Sequence, residues 1–267
     1  MPRPAKAPKG AFAISGGTVF IAVVRTRVYV DGFNLYYGAL KNTEYKWLDI
    51  KALCEQLLPK ENQIVGIKYF TARVYPSHSD PTKHARQNLY LTALKKFTPD
   101  LEIYYGKFNR HLVSVPMAAS DLSKLPQGTI VRKGYRQSLL NTQWVSRQSY
   151  VGAHVDIVKT EEKGSDVNLA LHLLNDAWQD KYDTAIIISN DSDLAGAIDL
   201  AKVHGKTIGI MTATGRPTRQ LETKAHFHKR ISARYLKKAQ LPRTIPGTNI
   251  TKPTEWTKAS RTLSVSK

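Results

Sequence analysis

Residues 184–198 read TAIIISNDSDLAGAI. Three consecutive isoleucines end abruptly at Ser189, and apolar residues then return at helical spacing from Leu194. A short continuous apolar run of this kind, bounded by polar residues, fits a strand buried on both faces. A strand that runs straight into a helix is the repeating unit of a parallel sheet covered by helices. Asp191 and Asp193 stand at the junction. Helix capping accounts for one carboxylate there, because one side-chain oxygen satisfies an orphan amide of the first turn. It does not account for two.

The same alternation extends in both directions. RVYVD at residues 27–31 is a short strand that meets Gly32 and Asn34, and LDIKALCEQLL at 48–58 is a helix stopped by Pro59. QIVGIKYFTARV at 63–74 and LEIYYGKF at 101–108 are strands, with a helix over 81–97 between them. After a break, AHVDIVKT at 153–160 is a strand, SDVNLALHLLNDAW at 165–178 an amphipathic helix, and KTIGIM at 206–211 a further strand. This order predicts an α/β fold with a mainly parallel central sheet between helical layers. Residues 1–24 differ in composition and are expected to be an extension. Residues 25–240 are expected to form one domain with an insertion around 109–152, and 241–267 a basic C-terminal tail.

The chain has 267 residues, 42% of them hydrophobic, enough for one substantial core with appendages. No run of about eighteen apolar residues is present, which argues against a membrane span. Residues 11–24 imitate a secretory signal but lack a small-residue cleavage site. Cys54 is the one cysteine, which excludes an internal disulfide and a thiolate metal cage and fits a reducing cytoplasm. The formal charge is +19, concentrated at the ends: residues 216–267 hold thirteen basic and two acidic side chains. Residues 109–152 hold six basic and one acidic, with Tyr135, Trp144 and Tyr150 among them. A polyanion is the expected partner, RNA or DNA rather than a membrane, since no cationic amphipathic helix accompanies the charge.

In an open parallel sheet, ligands gather at the carboxyl ends of the strands. Three expected strands end on acids or just short of them: Asp31 with Asn34, then Glu161, Glu162 and Asp166, then Asp191 and Asp193. Taken singly, Asp166 and Asp191 could be caps and Asp31 a turn residue. The strands before these motifs are expected to be neighbours in the sheet, so the acids should converge, and like charges so close cost free energy. A divalent cation removes that cost, and an all-oxygen donor set favours Mg²⁺ or Mn²⁺. An acidic cation site in a basic chain suits phosphodiester hydrolysis: the metal acts on the scissile phosphate while Lys and Arg hold its neighbours.

VYVDGFNLYYGAL, KTEEKGSDVNLALHLL and TAIIISNDSDLAGAI resemble, in that order, the three motifs of the NYN domain, a branch of the PIN-like nucleases, with the nearest likeness to the bacterial LabA-like group. The resemblance covers the chain from about Arg25 to residue 242. It implies a PIN-like, Rossmannoid three-layer α/β/α sandwich and metal-dependent endoribonuclease activity. It places the catalytic set on Asp31, Asn34, Asp166, Asp191 and Asp193, with the four aspartates as Mg²⁺ or Mn²⁺ ligands. Asn190 stands where the family usually has a small residue, and Leu194 where it has an aromatic.

Asn34 is expected to orient a water or a phosphate oxygen, with Ser189 adding a hydrogen bond. Lys159, Lys163 and Arg73 are expected RNA contacts, and Arg132, Lys133 and Arg136 extend that surface in the insertion. Single-stranded RNA is the expected substrate, DNA also fits, and the chain is a monomer or homodimer. Two other classes stay open: an RNA-binding module whose acids only cap helices, and a metal-dependent phosphohydrolase of another α/β class. No Gly-rich phosphate loop supports the latter.

Overall fold

The computed structural model describes residues 14–15, 18–19, 23–77, 80–116, 130–133, 136–138, 154–213 and 217–257. The expected extension over 1–24 lies largely outside them; within it Ile14–Ser15 pairs antiparallel with Thr18–Val19. The chain divides into two compact units, Lys107–Lys163 and the sequence on either side of it.

The larger unit is built on β1 (Val24–Asp31), β2 (Asn62–Ala72), the first part of β3 (Leu101–Pro116), β7 (Thr184–Ile188), β8 (Thr207–Thr212) and β9 (Phe227–Arg230). These six segments are all parallel, in the order β9-β8-β7-β1-β2-β3. Alternation along β1 sorts the helices into two layers. Val28 and Val30 face a core shared with α2 (Ile50–Leu57), α3 (Lys83–Phe97) and α7 (Ala233–Lys238). Tyr29 faces a second core with α4 (Ser165–Trp178), α5 (Ala195–Val203) and α6 (Arg219–Lys224). β7 is buried along its whole length, as its isoleucine run requires. The result is the α/β/α sandwich expected of a PIN-like fold. Among the described residues, no helix is long and apolar enough to cross a membrane.

One buried acid fixes how α4 lies on the sheet. Asp176 has no exposed surface and accepts from Tyr29 Oη at 2.8 Å and Arg27 Nη1 at 3.0 Å on β1, and from Lys68 Nζ at 2.7 Å on β2. Burial pushes its carboxyl up, but the hydrogen bonds from Lys68, Tyr29 and Arg27 outweigh this and hold it below the ordinary range. One turn earlier, His172 meets Lys68 Nζ at 3.1 Å and the Phe70 ring at 5.6 Å. Phe70 is in register with Asp31. Helix α4 therefore runs antiparallel to β1, and its first turn points to the edge where β1 ends.

The smaller unit is antiparallel. Residues 107–116 of β3 pair with β6 (His154–Lys163), which also pairs with β4 (Ile130–Lys133), itself paired with β5 (Arg136–Ser138). The expectation that the strand before Asp166 joins the parallel sheet beside β1 is corrected here: β6 is antiparallel, and the neighbours of β1 are β7 and β2. Its sequence ends in KTEEK, which cannot be buried on both faces as a central parallel strand must be. The backbones of Arg132, Lys133 and Arg136 lie in β4 and β5; Tyr135, Trp144 and Tyr150 lie outside the described residues.

A second correction concerns the tail. Residues 241–257 complete the core: Leu241, Ile245 and Trp256 are buried, and Trp256 packs 6.1 Å from the Trp47 ring. Trp47 Nε1 donates to the Pro242 carbonyl at 2.8 Å. The basic residues of this stretch masked its apolar anchors.

Two outcomes follow from these packings. Asp176→Ala, which leaves Arg27 and Lys68 without their shared acid, is expected to cost about 3–5 kcal/mol at neutral pH by denaturant titration. Because the folded carboxyl is depressed, the wild-type advantage is present above the unfolded pKa and fades as pH falls below about 4. A chain ending at Gln240 loses three buried side chains worth about 1.5–3 kcal/mol each, and is expected to show no cooperative thermal transition. An unchanged midpoint would make the segment dispensable.

Candidate active site at the carboxyl edge of the sheet

Strands β1 and β7 run side by side with Val30 opposite Ile188, so the residues that follow them, Asp31 and Ser189, emerge together. Asp31 caps α1 (Gly32–Leu35): Oδ1 accepts from the Asn34 amide at 2.9 Å. Its Oδ2 accepts from Ser189 Oγ at 2.9 Å. The Asp191 amide donates to the same Ser189 Oγ at 3.1 Å, and Asp191 Oδ1 accepts from the Asp193 amide at 3.0 Å. Asn34 Oδ1 takes the Asn190 amide at 3.2 Å, and Asn190 Oδ1 takes the Thr218 amide at 2.8 Å, just before α6. One hydrogen-bonded chain thus joins the end of β1, the loop after β7 and the start of α6.

Gly32 is required by contact. A Cβ there would lie 2.7 Å from the Tyr69 ring, so the chain can turn after Asp31 only without a side chain. Helix α1 continues as a π turn over Tyr36–Leu40, which leaves the Tyr37 ring 61% exposed and stacked 6.4 Å from Phe33.

Asp31 is buried, and burial pushes its carboxyl above the ordinary range, with the nearby negative charge of Asp191 adding to the rise against the hydrogen bonds that oppose it. Asp191 caps the 3₁₀ turn Ser192–Leu194, so the cap that the sequence suggested is real and shares a residue with the acidic site. Asp193 is exposed on that turn. Asp166 lies in the first turn of α4, half-buried, on a helix that packs against the same 3₁₀ turn.

The structure therefore brings Asp31, Asn34 and Asp191 into one network, with Asp193 attached through its amide. It does not bring the four expected aspartates into one cluster: among the described residues, no three His, Cys, Asp or Glu side chains are grouped to hold a metal ion. The convergence expected from neighbouring strands is corrected for Asp166, because the strand before it belongs to the antiparallel smaller unit and is not a neighbour of β1. Two carboxylates still fit Mg²⁺, which usually keeps several waters and takes one or two protein carboxylates plus substrate phosphates. The excess negative charge at Asp31 and Asp191 is the feature that such a cation would relieve.

The expected cations are distributed differently. Lys159 and Lys163 belong to the smaller unit, where both pair with Glu161, Lys163 at 3.3 Å. Arg73 is exposed just past β2, and its Nη1 donates to Asn88 Oδ1 at 2.8 Å. Sequence reasoning missed Thr218 and the bridging role of Asn190, whose only signal was that an amide replaces the small residue usual in similar chains.

A three-layer α/β/α unit with paired carboxylates at the carboxyl edge of a parallel sheet defines a PIN-like domain. The NYN domain family matches residues 87–232, a range that holds Asp166, Asp191 and Asp193 and begins after Asp31 and Asn34. The 6-hydroxy-3-succinoylpyridine 3-monooxygenase HspA of Pseudomonas putida is 31% identical over 256 residues, 87% of this chain and 75% of that protein. A Vibrio parahaemolyticus protein of unknown function, solved as a crystal structure, aligns at 14% identity with a TM-score of 0.42, over 79% of this chain and 95% of that one. The chain belongs to the NYN domain family of the PIN-like nuclease superfamily.

A carboxyl with a raised folded pKa favours the neutral form, so ionisation costs stability once pH rises through that value. Asp31→Asn, whose oxygen can accept from the Asn34 amide while its NH₂ donates to Ser189 Oγ, is expected to raise the thermal midpoint at pH 7 in chelator. The gain should shrink as pH falls through the raised folded value and be gone below about 4, where the acid is neutral in the folded and the unfolded chain alike. Equal destabilisation at both pH values would show that the hydrogen bonds, not desolvation, dominate at this position.

Proposed function

We propose that the chain is a Mg²⁺- or Mn²⁺-dependent ribonuclease that cuts single-stranded RNA endonucleolytically at the carboxyl edge of the parallel sheet. The observation that carries this reading is the buried Asp31 carboxylate held beside Asp191, two like charges placed where PIN-like folds present their site. Asp31 and Asp191 would hold the cation, with the remaining positions left to water and substrate oxygens. A bound divalent cation supplies Lewis-acid polarisation of the phosphodiester and a nucleophile at neutral pH.

The chain's own residues prepare the site. Asn34 N–H and Ser189 Oγ fix both oxygens of Asp31, so the carboxylate does not reorient when substrate arrives. The Asn190 amide occupies Asn34 Oδ1, so the NH₂ group is the end of Asn34 that would donate to a phosphate oxygen. The formal charge of +19 draws a polyanion to an edge whose carboxylates alone would repel it.

The kinship with HspA favours a second reading, oxygenation of an N-heterocyclic aromatic, because it spans most of both chains. One experiment separates the two. The purified chain is incubated with labelled single-stranded and structured RNA and DNA, with Mn²⁺, Mg²⁺ or chelator, beside Asp191→Asn. A parallel arm follows oxygen uptake with a hydroxypyridine and a nicotinamide reductant. Cleavage of RNA that needs the metal and falls at least about tenfold in Asp191→Asn is expected. Cleavage that survives both chelator and substitution contradicts the metal mechanism. Oxygen uptake without RNA cleavage would assign the second reading.

A further inference from the structure

A cavity of about 320 Å³ opens between α3 and the first part of β3, entirely within the larger unit. Leu91 and Ile103 form its apolar floor, and Arg73, Asn88, Lys95, Lys96 and Tyr105 carry its polar and aromatic walls. Among the described residues, no carboxylate lines it. Tyr105 is 40% exposed, and the Arg73 guanidinium lies 4.6 Å over its ring, steadied by Asn88. Lysines in the last turn of a helix complement its dipole, which gives Lys95 and Lys96 an ordinary role. That role does not explain an exposed ring beneath a guanidinium across a cavity that collects three cations.

We infer that this cavity is a subsite for one nucleotide of a single-stranded RNA, the base stacking against the Tyr105–Arg73 pair and the phosphates meeting Lys95 and Lys96. The assignment rests on the RNA reading above. A flat apolar wall with a stacked guanidinium is how proteins hold an unpaired base, and clustered lysines track the backbone beside it. A cavity near 300 Å³ is at the small end of ligand sites, of a size for one nucleotide.

Position connects the cavity to the carboxylates. Phe70 is level with Asp31 and Thr71 with Tyr105 in the sheet, so Arg73 lies three residues past Asp31, roughly 10 Å along the strand direction. From Asn88 to Lys95 the cavity follows two turns of α3, again roughly 10 Å. The chain of a bound RNA would leave the carboxylate edge at Arg73 and descend beside α3. Asn88, whose Oδ1 already accepts from Arg73, would use its NH₂ group as a donor to the base.

The test measures binding without cleavage. The full chain is titrated in chelator into a fluorescently labelled single-stranded RNA oligonucleotide, followed by anisotropy, with Lys95→Glu/Lys96→Glu, Tyr105→Ala and Tyr105→Phe beside it. The lysine reversal is expected to weaken binding at least tenfold and to flatten the dependence of affinity on salt. Tyr105→Ala is expected to weaken it roughly tenfold, and Tyr105→Phe to restore it. A nucleoside monophosphate should compete with the oligonucleotide better than inorganic phosphate does. The two lysines are exposed and carry the test even where Tyr105→Ala fails to fold. Wild-type affinity in the lysine reversal and in Tyr105→Ala would overturn the subsite and leave the ribonuclease reading standing. No RNA binding by the wild type, together with no cleavage, would overturn both.

Discussion

The hydrogen bond from Ser189 Oγ to Asp31 Oδ2 joins the ends of two adjacent parallel strands, and the candidate site is organised around it. It requires that β1 and β7 finish level, which their register ensures. It also leaves a carboxylate buried where ionisation is unfavourable, next to a second carboxylate. A fold optimised only for stability would place an amide or an apolar residue there. Perturbed carboxyls of this sort cluster at functional sites.

The rest of the sandwich supports that edge from a distance. Asp176, buried with Arg27, Lys68 and Tyr29, anchors the far end of α4 to β1 and β2. With that end fixed and the helix antiparallel to the sheet, the first turn with Asp166 has one place to go. On the opposite layer, Trp47, Tyr90 and Trp256 pack together beneath the loop that precedes α2. A buried ion network on one face and an aromatic cluster on the other hold the strands whose ends carry the candidate site.

Much of this was legible in the sequence. The isoleucine run before Ser189 announced a doubly buried strand, and Asp31 before Gly32 announced a sharp turn. What pattern alone could not supply was strand order. The AHVDIVKT segment carries the same apolar alternation in a parallel or an antiparallel ladder, and only its charged KTEEK end hinted that it would not sit in the middle of the sheet. The tail was misjudged for a related reason, since Leu241, Ile245 and Trp256 are spaced among proline, threonine and the cations Arg243 and Lys252 without a helical or strand period. Arg73 was legible as a cation beyond a strand, but its partners Asn88 and Tyr105 come from two other elements and meet it only in the fold.

The central claim is that Asp31 and Asp191 form a site for a divalent cation. Calorimetric titration of Mn²⁺ into the wild-type chain and into Asp191→Asn tests it most directly. Saturable binding by the wild type, lost or weakened at least about tenfold in the variant, is the result the account predicts. Equal binding by both chains, or no heat from either, would contradict it.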